Sequence, residues 1–193
     1  MHHIYHTEGI ILGSRNYGEA GRCFYVFTRD LGMIYASAQG VRKISSKLRF
    51  VLQDFTYIKV DLVRGKDFWR ITSASKTNML EGIARDSTKL EIMVNVSKLL
   101  RRLLAGEDPN SILFQDLILG LEILDKNTEK FELPNVEVIL VLRILNNLGY
   151  IGGQENIKNL IQSPFENDLV YEVAKKKKDI LVEINKALKE TQL

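Results

Sequence analysis

The 193-residue chain is long enough for one large domain or two small ones, and its 45% apolar and 26% charged residues are ordinary for a folded protein in water. A single cysteine, Cys23, excludes an internal disulfide and a cysteine-based zinc site, and no apolar run approaches the roughly 20 residues that cross a bilayer. The net charge of +3 divides unevenly: residues 1–80 carry 12 Lys or Arg against 6 Asp or Glu, and residues 81–193 carry 15 against 18. A basic front and a mildly acidic back predict two parts with different partners, the front facing a polyanion.

The chain opens with His2, His3 and His6, all in a start expected to be mobile and to hold no defined catalytic site. It shows no charged-then-apolar export signal, which predicts a cytoplasmic protein with no membrane contact. Residues 9–15 read as an apolar strand, and residues 16–21 as a glycine-bearing loop. Residues 22–28 form a second strand, with Cys23, Tyr25 and Phe27 on one face and Phe24, Val26 and Thr28 on the other. Cys23 is expected to be a small buried side chain rather than a nucleophile, because no histidine lies near it in sequence. Gly32 closes a turn into a third strand, residues 33–39.

The next segment, residues 40–49, reads Gly-Val-Arg-Lys-Ile-Ser-Ser-Lys-Leu-Arg, and no acidic residue occurs between Asp30 and Asp54. Cations without anionic neighbours in sequence cannot neutralise one another's field locally, so Arg42, Lys43, Lys47 and Arg49 are expected to attract a polyanion, with Ser46 adding a phosphate hydrogen bond. Arg15 and Arg22 are candidates to join them, as are Arg64, Lys66 and Arg70. Residues 54–62 then alternate, Phe55, Tyr57, Lys59 and Asp61 opposite Thr56, Ile58, Val60 and Leu62; a turn at residues 64–66 leads to a last strand, residues 67–74. Five short strands hide their edges best by closing, which predicts an OB-fold barrel, although an SH3-like barrel has the same strand count.

Beyond residue 80 the apolar period changes from two to between three and four. Leu90, Met93, Ser97, Leu100 and Leu104 mark one helix. Residues 111–125 mark a second. A third starts after Pro134 and stops at Gly149, an expected left-handed cap. From Gly152 the tail is polar until a last amphipathic helix containing Ile180, Ile184 and Leu188, and the Lys175-Lys176-Lys177-Lys178 run would spread around a helix as a solubilising cap or a phosphate clamp. The fold class is therefore α+β: a five-stranded OB-fold barrel over residues 1–80, then an α-helical bundle over residues 81–193.

No phosphate-loop, zinc-protease, nucleophile-elbow or C-x-x-C pattern occurs, so neither an enzyme, a metal nor a cofactor is expected. Binding a single strand needs only cations that follow the backbone and aromatic faces for bases. The candidate faces are Tyr17, Tyr25, Tyr35, Phe55, Tyr57, Phe68 and Trp69. An RNA-binding OB module and an adaptor for a partner's acidic tail use the same positive groove and stay open at this stage.

Glu8-Gly9-Ile10-Ile11-Leu12, Arg15-Asn16-Tyr17-Gly18-Glu19, Phe27-Thr28-Arg29-Asp30-Leu31-Gly32, Ala38-Gln39-Gly40-Val41-Arg42-Lys43 and Ser46-Lys47-Leu48-Arg49, in this order and followed by Leu52-Gln53-Asp54-Phe55, resemble the RecO family of bacterial DNA repair and recombination mediators. The resemblance is tight over residues 8–76 and looser to Leu148-Gly149-Tyr150. It implies an OB-fold joined to a helical domain, binding of single- and double-stranded DNA, annealing of complementary strands, and work with RecR and single-stranded DNA-binding protein so that RecA can load. It also implies a cytoplasmic protein that joins the nucleoid when bound to DNA. Many members carry a four-cysteine zinc finger after the position of Leu148-Gly149-Tyr150; residues 151–163 here contain no cysteine, so no zinc is expected.

Overall fold

A computed structural model describes residues 3–127, 129–152 and 155–191, which leaves His2 outside the described residues. The first strand, β1 (Ile4–Tyr17), is longer than its apolar stretch because two partners hold it. Residues 4–10 run antiparallel to β4 (Tyr57–Arg64), and residues 9–17 run antiparallel to β2 (Gly21–Thr28). Pairing with β4 also orders the start of the chain: His6 sits within the strand with Nδ1 2.6 Å from Asp61 Oδ1, and the expected mobile terminus is therefore a strand from Ile4 onward.

β2 pairs with β3 (Gly32–Ala38), β3 runs parallel to β5 (Trp69–Lys76) at Ala36 and Ser37, and β5 returns antiparallel to β4. The sheet closes in the order β1-β2-β3-β5-β4, the mixed connectivity of an OB-fold barrel. Alternation along the strands fills its interior with Ile11, Phe24, Val26, Ile34, Ile58, Val60 and Leu62. Cys23 is buried on the other face of β2. Phe55 and Thr56 fall outside β4, contrary to the alternation read through them. Phe55 takes a φ of 67° and its N–H donates to Ile11 O at 2.8 Å, so the chain turns there before the strand begins.

The chain divides into two compact units, residues 1–81 with 97–111 and residues 82–96 with 112–193. In the first, Gly32 has a φ of 67°, and a Cβ there would lie 2.4 Å from the carbonyl oxygen of Asp108. On the outer side of β1 and β4, the Tyr57 hydroxyl donates to Glu8 Oε2 at 2.7 Å, and Arg29 and Lys59 approach the same carboxylate at 3.0 and 3.8 Å.

The second unit is helical. A 3-10 turn at Ile83–Arg85 leads to α2 (Ser87–Leu103), whose start is capped by Asp86 and whose residues from Ser97 onward belong to the first unit; the helix α1 (Leu48–Val51) belongs to the basic segment described below. Asp86 Oδ1 accepts from the N–H groups of Thr88 and Lys89, and these bonds hold its carboxyl below the usual carboxylate range. α3 (Ser111–Lys126), α4 (Leu133–Asn147), α5 (Glu155–Gln162) and α6 (Asn167–Glu190) follow. Gly149 ends the α4 region with a φ of 80°, as the sequence predicts. The tail is more helical than its polarity suggested. Leu169, Val170, Val173, Ile180, Ile184 and Ala187 are buried at three- to four-residue spacings, so α6 starts well before Ile180 and carries the lysine run within it.

The buried Arg143 ties three helical segments together: Nη1 donates to Asp116 Oδ1 at 3.1 Å, Nε to Leu160 O at 3.1 Å, and Nη2 to Ser163 O, with the guanidinium 4.8 Å from the centre of the Phe165 ring. Burial lowers its pKa and Asp116 opposes that; an arginine nonetheless stays charged, so the site is a fixed cation with each of its three nitrogens donating.

Two outcomes are expected. Gly32→Ala meets both a left-handed backbone and the Asp108 main chain, and should destabilise the protein by ~2 kcal/mol or more in urea unfolding. Burial, then the bond to Glu8, pushes the Tyr57 phenol up to about 12. The unfolded chain ionises near 10, so stability complete below about pH 10 should fall as pH rises from there toward 12. Ultraviolet phenolate titration should show one phenol ionising near 12 that is missing in Tyr57→Phe.

Candidate nucleic-acid interface

Residues 40–52 leave β3 and return to β4 as a string of turns ending in the single turn α1. Gly40 has a φ of 67° and accepts from the Lys43 N–H at 3.0 Å, and Lys43 O accepts from the Ser46 N–H at 3.0 Å. Two apolar side chains fasten the segment: Val41 near its start and Leu52 at its end are both buried in the barrel core. The Arg42 N–H donates to Ala20 O at 3.0 Å and Arg42 Nη1 to Glu19 O at 3.3 Å, which docks the segment on the β1–β2 turn.

With its apolar residues used as anchors, the segment turns its charges outward. Arg42, Lys43, Lys47 and Arg49 are exposed and Ser46 is half-buried. Among the described residues, no carboxylate pairs with any of these four cations, or with Arg15 or Arg22. Several cations elsewhere on the barrel do meet carboxylates: Arg29 and Lys59 meet Glu8, Arg64 meets Glu107, and Lys76 meets Glu81. Three of the unpaired cations, Arg22, Arg42 and Arg49, line a groove of about 420 Å³ together with Asn16, Val41, Ile44 and Leu52.

The groove thus brings Arg22, Arg42 and Arg49 together, with Lys43, Ser46 and Lys47 on the segment that forms its rim. Arg15 lies elsewhere. Its neighbour Asn16 lines the groove, whereas the Arg15 guanidinium sits 4.9 Å from the centre of the Tyr35 ring and donates to the Tyr35 hydroxyl, a bond that raises the arginine's pKa. Arg64 also turns away, held by Glu107 and stacked 4.8 Å from the centre of Trp69.

Of the candidate aromatics, Tyr57 and Trp69 are buried and Tyr17 is exposed. Tyr17 meets Phe68 edge-on at 5.4 Å, Phe68 meets Tyr35 at 6.2 Å, and Tyr35 meets Tyr25 at 4.9 Å, giving a continuous aromatic row. The most exposed large apolar residues near the cations are ones the sequence reading did not single out: Ile44, 88% exposed, and Phe50, 66% exposed. Helical spacing was the available signal, since Leu48, Val51 and Leu52 share one side of a turn that leaves Phe50 on the other. In α6 the lysine run is partly engaged, Lys176 with Glu172 at 3.5 Å and Lys177 with Asn135 at 3.0 Å.

A closed OB barrel with an unneutralised basic rim, in a chain that continues into helices, defines the class. Residues 1–80 match the family model described as Recombination protein O N terminal. The chain is 31% identical over 147 residues to the DNA repair protein RecO of Heliobacterium modesticaldum, covering 76% of this chain and 52% of that protein. It is 29% identical over 143 residues to the DNA repair protein RecO of Rubrobacter xylanophilus, covering 74% and 57%, and 36% identical over 128 residues to that of Dehalococcoides mccartyi, covering 66% and 50%. The chain belongs to the RecO family of DNA repair proteins. It spans about half the length of the curated relatives it matches.

Anchors and cations should separate cleanly in urea unfolding. Leu52→Ala is expected to cost about 2–5 kcal/mol, whereas changing Arg42, Lys43, Lys47 and Arg49 together to Ala should cost less than about 1 kcal/mol, because exposed, unpaired charges contribute little to stability.

Proposed function

We propose that the chain is a recombination mediator that binds single- and double-stranded DNA through the groove and rim formed by Arg22, Arg42, Lys43, Ser46, Lys47 and Arg49, with Arg15 contributing from the adjacent face. The observation that carries this reading is the set of four exposed cations on residues 42–49 that, among the described residues, meet no carboxylate. Such a set attracts phosphates by charge and reads little of the base edges, so binding depends weakly on sequence.

Annealing follows from the same electrostatics. Two strands repel each other until a basic surface neutralises part of their charge; pairing of the bases then supplies the driving force, with no nucleotide hydrolysis and no catalytic residue. Membership of the RecO family supports the further reading that the protein works with RecR and single-stranded DNA-binding protein to load RecA in the cytoplasm. The less basic helical unit is the better candidate for those protein contacts. Among the described residues no helix is long and apolar enough to cross a membrane.

The test is a fluorescence-anisotropy titration of a random single-stranded oligonucleotide at several salt concentrations. Four phosphate contacts should give a slope of log affinity against log salt of about −3. The fourfold Ala variant at Arg42, Lys43, Lys47 and Arg49 should flatten that slope and slow annealing; an unchanged slope in a folded variant removes the assignment. Tighter binding of an acidic peptide of equal charge would favour an adaptor, and preference for a matched RNA strand would favour an RNA-binding module.

A further inference from the structure

Phe50 and Ile44 stand among the cations of the rim, and we propose that they take up unpaired nucleobases, so that residues 40–50 hold a strand by its bases as well as its phosphates. This rests on the polyanion reading above and adds to it a preference for single over paired strands.

The geometry of the segment leaves these two side chains without a place in the protein. Val41 and Leu52 are buried in the barrel, and Leu48 and Val51 pack against the same core. At about 100° per residue, a turn that points residues 48, 51 and 52 inward points residue 50 outward. Phe50 is 66% exposed as a result, with the Arg49 guanidinium 5.7 Å from its ring centre. Ile44, 88% exposed, lines the groove beside Arg22, Arg42 and Arg49.

Charge and shape together select the occupant. Unneutralised cations favour an anionic partner, and exposed apolar groups between them favour one whose anionic groups alternate with flat apolar surface. A single strand has this character along its whole length, because each phosphate is followed by a base whose face can lie on an aromatic ring. A duplex stacks its bases against one another and offers only its phosphates to the rim. An anionic bilayer would call for a long amphipathic helix, whereas α1 is one turn of four residues.

The experiment uses the whole chain with Phe50→Ala and Ile44→Ala combined, titrated by anisotropy against a base-bearing single strand, an abasic phosphodiester strand of equal length, and a duplex. Both side chains face solvent, so thermal unfolding should be unchanged. Affinity for the base-bearing strand is expected to fall roughly tenfold, with its salt slope unaltered, while affinity for the abasic strand and the duplex stays the same. Phe50→Tyr should keep the affinity for bases and Phe50→Leu should lose it.

No loss on the base-bearing strand, or an equal loss on the abasic one, overturns the proposal and leaves phosphate binding intact. If the unaltered protein binds neither strand, the polyanion reading falls and this one with it. Vesicles of phosphatidylglycerol and phosphatidylcholine supply the rival arm: a variant that releases vesicles but keeps its hold on the base-bearing strand also overturns the assignment.

Discussion

The barrel depends on one strand serving two neighbours. β1 gives its first half to β4 and its second half to β2, and the two sets of pairings overlap at Gly9, opposite both Thr28 and Ile58, and at Ile10, opposite both Phe27 and Tyr57. Space is tight at that crossing. A Cβ on Gly9 would lie 2.8 Å from Val26 Cγ1 and 3.0 Å from Phe27 O, so a glycine lets the strand pass. A register shift between Ile11 and Gly13 then bends β1 from one partner to the other, as β-bulges do in closed sheets. Without this double pairing the sheet has two open edges, and residues 40–52 lose the core into which Val41 and Leu52 are buried.

Closure is also what gives the basic segment its character. A loop rich in like charges repels itself and, if free, spreads through many conformations. Fastened by an apolar side chain at each end and docked on the β1–β2 turn through Arg42, this one holds Arg42 and Arg49 at a groove with Arg22. The repulsion that remains is the attraction a polyanion meets. The apolar anchors Val41 and Leu52 are thus buried while the cations between and beside them are left exposed.

The helical unit follows another logic. One of its cations, Arg143, is buried and donates from all three side-chain nitrogens to Asp116, Leu160 O and Ser163 O. A guanidinium held this way organises the interior and presents no field to a partner. The contrast with Arg42 and Arg49 separates a buried, structural arginine from exposed ones by environment alone, since nothing in the residue type distinguishes them.

Much of the fold was legible from local pattern. Period-two alternation around Phe24, Val26, Ile58, Val60 and Leu62 identified strands whose interior face is the barrel core, and the change of period beyond residue 80 identified helices. The absence of acids between Asp30 and Asp54 marked the basic rim before any geometry was known. These features are set by neighbours a few residues apart, which is the range over which a sequence displays its constraints. Tertiary structure alone decided that β1 begins at Ile4, that Phe55 leaves β4, that Arg15 turns to Tyr35 while Arg22 enters the groove, and that Ile44 and Phe50 face outward. All but the outward turn of Phe50, which helical spacing hinted at, depend on which distant residues the closed barrel brings alongside, and no local pattern of apolarity or charge encodes that pairing.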